Sequence, residues 1–134
     1  MFILVFAFIS MNSIKVEHFS KELDKLILVG GFIGIAIVNR NGLTILSNLP
    51  RNIDERKFGA MAATMFGAME TAISTFSDKL INITVEFNDY QLIILGVDEE
   101  VIIVSLVDIN IDLGLIFIEI EECLKNLQNY KKSD

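Results

Sequence analysis

The sequence predicts a single α+β domain built around an antiparallel sheet. Its elements follow the order helix, two strands, long helix, three strands, helix, with the strands grouped in hairpins and segregated from the helices. A length of 134 residues corresponds to one domain. Apolar residues make up 52% of the chain and the mean hydropathy is +0.54. These values exclude a disordered protein, and they correspond to more apolar surface than a small monomer readily buries.

The first element is an amphipathic helix predicted over Lys15–Leu28. Apolar residues recur there at steps of three and four, which is the spacing of one helical face. The pair Gly30-Gly31 ends the helix. The apolar positions are Val16, Phe19, Leu23, Leu26 and Ile27.

A β-hairpin follows this helix. The apolar, β-branched stretch Phe32–Val38 predicts a buried strand, and Leu43–Ser47 predicts its partner. Between them, Asn41-Gly42 is a strong hairpin signal because both residues tolerate positive φ.

The longest predicted helix begins at Asn52 or Asp54, which are both suitable N-caps, and runs to about Asp78. Asn52 also has Glu55 three residues later, the spacing of a capping box. One face of this helix is apolar, as expected for packing on a sheet. That face comprises Phe58, Met61, Ala62, Met65, Phe66, Met69, Ala72, Ile73 and Phe76.

Two further features mark the long helix. Gly59 and Gly67 lie inside it, each at a cost of about 1 kcal/mol relative to alanine, so we expect something to approach a second face closely. Met61, Met65 and Met69 form a stripe at helical spacing. We interpret the stripe as core; the alternative is a pliable partner-binding surface, because thioethers repack easily.

Three more strands are predicted over Ile81–Phe87, Tyr90–Val97 and Val101–Val107. The first alternates apolar and polar residues, with the apolar ones on one face. Polar turns at 88–89 and 98–100 separate the three strands.

The last predicted helix runs from Leu113 to about Tyr130 and is capped by Asn110 or Asp112. Its apolar face comprises Leu113, Ile116, Phe117, Ile120, Leu124 and Leu127.

Charge and cysteine content limit which functional classes and cellular locations are expected for this chain. The chain has 11 Lys and Arg against 18 Asp and Glu, a net charge of −7. Because an acidic chain repels phosphate backbones, no nucleic-acid partner is expected. Cys123 is the single cysteine, which excludes an intrachain disulfide and fits a reducing, cytoplasmic location. No cofactor or metal is predicted.

Residues that carry catalytic chemistry are sparse. His18 is the single histidine, and a pairing with Cys123 lacks a third, orienting group. The glycines at 30, 31 and 34 precede and enter a strand, whereas a dinucleotide fingerprint follows a strand and opens a helix. A carboxylate-only cation site at 98–100 lacks the alternating ligands of a calcium loop. On this chemistry, the sequence predicts a protein that is not an enzyme.

The first residues of the chain stand apart. Phe2–Ile9 is an uninterrupted apolar run, and as a helix it would span about 12 Å, far short of a bilayer core of about 30 Å. No basic residue precedes it and no Ala-x-Ala follows it, which argues against a signal peptide. The run is interpreted either as a strand or short helix docked on the domain, or as an extension before a true start at Met11. The chain is thus predicted to consist of an unassigned extension (1–12), one domain (13–130) and a polar tail (131–134). The apolar run is the only segment through which we expect any contact with a membrane.

Three segments carry a family resemblance. Gly34–Pro50 has the pattern of a strand, a polar-Gly turn, Leu and a second strand. Phe58–Phe66 is an Ala-rich central helix, and Asp108–Leu115 includes an entry to the last helix in which Asp112 stands where Asn is commoner. In this order and spacing they resemble the roadblock family, the dynein light-chain type domain with bacterial and archaeal relatives. The resemblance extends over Leu23–Leu127.

The resemblance implies a five-stranded antiparallel, longin-like sheet with the order α-β-β-α-β-β-β-α. The long central helix would cover one face, and the first and last helices the other. It also implies dimers that join their third strands edge to edge, with the central helices side by side. The interface candidates are Ala63, Phe66, Gly67, Glu70 and Ile73 on the helix and Ile83, Val85 and Phe87 on the strand.

The resemblance also implies a role. Family members are generally non-catalytic subunits that bind and regulate small Ras-like GTPases, in some bacteria promoting GTP hydrolysis without an arginine finger, or act as adaptors in motor and endosomal scaffolds. We therefore expect a homodimer, or a pair with another roadblock-type chain, that regulates a small Ras-like GTPase. The alternatives are an adaptor without GTPase contact and a small-molecule sensor, which would need an apolar cavity with convergent polar groups.

Overall fold

The computed structural model describes residues 13–132 of the chain. The predicted extension at 1–12 and the last two residues of the predicted tail lie outside the described residues. Within that range the helices are α1 (Ser13–Val29), α2 (Glu55–Ile73) and α3 (Leu113–Lys132), and a 3-10 turn, Ser74–Phe76, follows α2. The strands are β1 (Phe32–Asn39), β2 (Thr44–Asn48), β3 (Asn82–Glu86), β4 (Tyr90–Gly96) and β5 (Val101–Asp108).

The five strands form one antiparallel sheet in the order β2-β1-β5-β4-β3. Strands β1, β5 and β4 therefore lie inside the sheet, and β2 and β3 are its edges. The inner strands are long apolar runs buried on both sides, whereas the edge strands are shorter and more polar. The predicted α+β fold class and antiparallel sheet are confirmed.

The two faces of the sheet are covered differently. Helices α1 and α3 pack together on one face, here called the two-helix face, and α2 alone lies on the other, the α2 face. The core of the two-helix face includes Phe19, Leu23, Leu26, Ile35, Ile37, Ile93, Ile103, Ile116, Ile120 and Leu127. The core of the α2 face includes Ala36, Val38, Phe58, Ala62, Phe66, Leu92, Ile94, Ile102, Val104 and Leu106.

Local chemistry sets where the helices begin. The Asp54 carboxylate accepts hydrogen bonds from the amides of Arg56 (3.0 Å) and Lys57 (3.3 Å), so Asp54 caps α2 and the alternative cap at Asn52 is not used. Asp112 caps α3 in the same way, accepting from the Gly114 amide at 3.0 Å.

The end of α2 differs from the prediction. The helix ends at Ile73 rather than near residue 78, because the hydroxyls of Ser74 and Thr75 bond back to carbonyls of the preceding turn and Ser77 adopts a left-handed conformation with φ of 55°. Phe76, predicted on the core face, is therefore 75% exposed.

The glycine signals are confirmed at two turns. Gly30 and Gly31 end α1 with φ of 87° and 85°, a conformation that other residues rarely adopt. Gly42 has φ of 92° and donates to the Asn39 carbonyl at 2.8 Å, which closes the predicted β1–β2 hairpin. None of the helices in residues 13–132 is both long and apolar enough to cross a membrane.

Candidate interaction surface on the α2 face

Strand β3 is an edge with its outer backbone groups unpaired by the sheet. The Phe87 amide donates to the Tyr90 carbonyl at 2.7 Å, and the register continues through Val85 opposite Leu92. Backbone groups alternate in direction along an antiparallel strand. Those of residues 83, 85 and 87 therefore point to β4, and those of Asn82, Thr84 and Glu86 point outward.

The side chains of β3 also divide between the two faces. Ile83 and Val85 are half-buried against the core of the α2 face. Phe87, just after the strand, is 47% exposed, and Ile81, just before it, is 72% exposed. An open edge flanked by exposed apolar side chains is a template for pairing with another chain.

Helix α2 buries one side and leaves the rest open. Phe58, Ala62 and Phe66 face the sheet and are buried. The methionine stripe was interpreted as core, and this is wrong for two of its three members: Met61 is 44% and Met69 43% exposed, while Met65 packs partly against the core. The reason is that no element of the described chain covers the outer side of α2.

The candidate dimer residues occupy three environments. Phe66, on the inner side of α2, is 1% exposed and packs in the core of the α2 face. Ile73, Ile83 and Val85 are half-buried, and Phe87 is open, so these four lie along the helix end and the strand edge. Ala63, Gly67 and Glu70 line a groove at the flank of α2. The interface itself stays a prediction.

Arg40 connects that flank to the end of the sheet. Its guanidinium donates to the Glu70 carboxylate at 2.5 Å and to the Asp98 carbonyl at 2.7 Å, and it lies 4.8 Å from the centre of the Phe66 ring. Its backbone amide donates to the Glu100 carbonyl at 2.8 Å. One residue thus joins the β1–β2 hairpin, α2 and the β4–β5 turn. Sequence reasoning missed it because an arginine in a hairpin turn has no local signature.

The groove beside Arg40 has a volume of about 880 Å³ and is called the α2 groove below. Its walls come from α2, the loop before β3, the β4–β5 turn and α3. The residues that line it are Arg40, Ala63, Phe66, Gly67, Glu70, Lys79, Leu80, Ile81, Leu95, Gly96, Val97, Asp98, Glu99, Glu100, Leu124 and Gln128.

The small residues of α2 have two explanations. A side chain at Gly59 would overlap Thr44 of the β1–β2 hairpin, so the expected close approach is supplied there by the chain itself. At Gly67 no atom lies within 4 Å of where a Cβ would be, because this glycine faces the α2 groove. Contacts within the described chain therefore account for the glycine at position 59 but not for the glycine at position 67.

Cys123 and His18 lie between α1 and α3. Burial, with a smaller contribution from the Glu22 carboxylate, raises the pKa of the Cys123 thiol to about 12, so the thiol stays protonated at neutral pH. His18 Nε2 donates to the Asn126 carbonyl at 3.1 Å. Cys123 lines a cleft of about 180 Å³ whose other walls are mostly charged or amide side chains. A histidine-activated thiolate nucleophile is therefore not supported, and the cleft is not the apolar cavity a sensor would need.

The acidic turn at 98–100 uses its own carboxylate. Asp98 Oδ1 accepts from the amides of Glu100 (2.7 Å) and Val101 (2.9 Å), which is the chemistry of a tight turn. Within residues 13–132, no three His, Cys, Asp or Glu side chains come together as metal ligands.

Comparison with known sequences identifies the family. The sequence profile of the Roadblock/LC7 domain family matches residues 19–106. An uncharacterized protein of the archaeon Methanocaldococcus jannaschii, MJ0714, is 32% identical over 98 residues, covering 73% of this chain and 83% of that protein. The chain belongs to the Roadblock/LC7 domain family, in its prokaryotic branch, and so to a class of protein-interaction modules.

Solved structures have the same fold. Myxococcus xanthus MglB superposes with a TM-score of 0.83 at 22% identity, over 88% of this chain and 90% of that one. The gliding protein MglB of Thermus thermophilus superposes with a TM-score of 0.80 at 12% identity, over 90% and 93% of the two chains. At these identities the similarity is one of fold.

Proposed function

We propose that this protein is a non-catalytic, dimeric interaction module that binds and regulates a small Ras-like GTPase. The observation that carries the proposal is the open edge of β3 beside the exposed apolar side chains of α2. Membership in the roadblock family supports it, and the sequence resemblance supplies the GTPase as the expected class of partner.

The dimer would form by antiparallel pairing of β3 with β3 of a second copy. Pairing centred on Thr84 aligns the outward backbone groups of both strands and sets Glu86 opposite Asn82 of the second copy, so no like charges meet. Ile83, Val85 and Phe87 would then extend one apolar strip across both copies. Ile73, at the end of α2, would lie beside that strip. Another roadblock-type chain with a similar edge could take the place of the second copy.

The paired α2 helices would form the surface that meets the GTPase. Met61 and Met69 are exposed on α2 and their flexible thioether side chains adapt to a partner surface. A solved MglB with a tetrameric arrangement, 13% identical to this chain, has the same fold. The buried, protonated Cys123 is compatible with a cytoplasmic module.

The module would act by holding its partner rather than by contributing a catalytic group. Arg40 is committed to Glu70, Asp98 and Phe66 within its own chain, so it does not reach out as an arginine finger. Any effect on GTP turnover would arise from stabilising one conformation of the GTPase.

Binding to Ras-like GTPases loaded with GTP or GDP analogues tests the proposal. We expect nucleotide-dependent binding that Met61→Asp weakens. Leu28→Asp is the matched control, because Leu28 is an exposed apolar residue on the two-helix side of the molecule. Dimers that bind no GTPase in either nucleotide state would contradict the proposal and favour an adaptor without GTPase contact.

A further inference from the structure

The outer side of the α1–α3 layer carries exposed apolar side chains at one end. At the C-terminal end of α1, Leu28 is 85% and Val29 is 39% exposed. In the first two turns of α3, Leu115 is 49% and Ile118 is 60% exposed. None of these four residues, called the outer patch below, takes part in the core of the two-helix face.

Contacts between the helices bring the two halves of the outer patch together. His18 of α1 bonds to Asn126 of α3 at 3.1 Å, and further along α1, Leu26 lines a cleft with Glu119 of α3. The residue numbers run in opposite directions, so the helices are antiparallel. The last turn of α1 and the first turns of α3, which carry the outer patch, therefore lie side by side.

The outer patch has the shape of a shallow groove between two ridges. The axes of packed helices are about 8–10 Å apart. Leu28 and Ile118 are the most exposed members and stand on the two ridges, whereas Val29 and Leu115 are less exposed and lie lower between them. A third helix with apolar residues at positions i, i+3, i+4 and i+7 fits a groove of this kind.

The charges next to the outer patch are predominantly negative. The acidic side chains that surround it on the two helices are Asp24, Glu119, Glu121 and Glu122. Lys25, the one lysine at this end of the layer, already donates to the Glu22 carboxylate at 3.1 Å. The remaining lysines of α1 and α3 lie further along the helices, toward the opposite end of the layer.

This charge distribution discriminates between the occupants that an apolar groove accepts. A second copy docked through its own outer patch would bring two sets of carboxylates together, and an anionic lipid surface would be repelled in the same way. The chain's own apolar run, Phe2–Ile9, has no basic residue with which to meet the carboxylates. A segment with lysine or arginine beside its apolar side chains complements both the groove and its rim.

We propose that the outer patch binds a basic amphipathic helix of a partner protein. Apolar side chains of that helix cover Leu28 and Ile118, and its lysine or arginine side chains meet the carboxylates of α3. The outer patch lies across the sheet from α2, so the inference does not depend on the GTPase proposal. Its α3 half lies beyond residues 19–106, which match the family profile, so family membership alone does not imply this site.

Titration of the full-length protein with designed peptides, followed by the NMR shifts of its amides, tests this binding. The probe is a helical peptide of about 18 residues with leucines at i, i+3, i+4 and i+7 and lysines beside them. Two matched peptides carry glutamate in place of the lysines, or serine in place of the leucines. We expect that only the probe binds, that it shifts amides at 24–29 and 115–122, and that added salt weakens it.

Uncharged substitutions locate the contact. Ile118→Gln and Leu28→Gln each remove an exposed apolar side chain without changing the net charge, and each should weaken binding of the probe by roughly tenfold. Met61→Gln, at an exposed apolar site on α2, is the matched control and should leave the affinity unchanged. GTPase binding should depend on position 61 instead, so failure of one proposal is distinguishable from failure of the other.

Several results would overturn the proposal. The probe does not bind, binds Ile118→Gln as tightly as the wild type, or shifts only amides of α2. Equal binding of the glutamate peptide would show that the carboxylates play no part. Binding to phosphatidylserine vesicles that Ile118→Gln abolishes would assign the outer patch to a membrane, and self-association that the same variant abolishes would assign it to a second copy.

Discussion

The two faces of the sheet have the same amount of strand to cover but are covered in different ways. On the two-helix face, Ile116, Ile120 and Leu127 of α3 are at most 1% exposed, and α1 closes the layer beside them. On the α2 face a single helix leaves Met61 and Met69 open and the β3 side chains half-buried. The closed face forms a continuous core, whereas the open face leaves apolar side chains exposed, as the proposed association requires.

The largest difference between the faces should appear in the free energy of unfolding. Ile120→Ala removes a fully buried side chain from the two-helix face and should cost about 2–5 kcal/mol. Ile83→Ala removes a half-buried one from the α2 face and should cost clearly less. Urea titration of both variants at a single protein concentration measures this, and equal losses would show that the two faces do not differ in the way described.

A smaller effect is expected at the residue that joins α2 to the rest of the molecule. Arg40→Ala removes a charged hydrogen bond to a backbone carbonyl and the contact with the Phe66 ring, at about 1–3 kcal/mol. Arg51→Ala, at an exposed position in the turn before α2, should change stability by no more than about 0.5 kcal/mol. Thermal unfolding compares the two, and equal effects would mean that Arg40 does not hold α2 in place.

Substitutions at the two glycines of α2 compare the side of the helix that the hairpin covers with the side that is open. Gly67→Ala meets no atom within 4 Å and should stabilise the protein by about 0.5–1 kcal/mol, because glycine is a poor helix former. Gly59→Ala should destabilise it, because the new methyl group overlaps Thr44. The denaturation midpoints of the two variants measure both changes in stability. If both variants were more stable than the wild type, the β1–β2 hairpin would not limit the side chain at position 59.

The smallest effect concerns pH and the two-helix face. The folded state holds the Cys123 proton more tightly than the unfolded state, whose thiol has a pKa near the ordinary 9.0. The stabilisation of the folded state that follows from this pKa difference is fully present well below pH 9. It is lost as the pH rises through 9 toward 12, and at pH 9 the loss is still less than about 0.5 kcal/mol. Denaturation between pH 8 and 9.5 should show this decline in the wild type and not in Cys123→Ala. The same decline in both would assign it to another group.

The sequence was sufficient to predict those helices and strands whose signals come from neighbouring residues. The Asn-Gly turn, the paired glycines after α1 and the apolar periodicity of α3 predicted those elements within a few residues. The end of α2 was missed because hydroxyl groups of residues 74 and 75 turn back on the helix, a competition that periodicity does not reveal. The exposure of Met61 and Met69 depends on what covers the helix in three dimensions. The role of Arg40 likewise arises from residues 30 and 58 positions away.

The mass of the protein in solution tests most directly the claim that the α2 face is an association surface. Thr84→Pro removes an outward-pointing amide from β3, whereas Val85→Pro removes one that points to β4 and should disturb the sheet itself. By light scattering we predict a dimer for the wild type and a folded monomer for Thr84→Pro. A Thr84→Pro protein that keeps the dimer mass would show that the interface lies elsewhere and contradict the account.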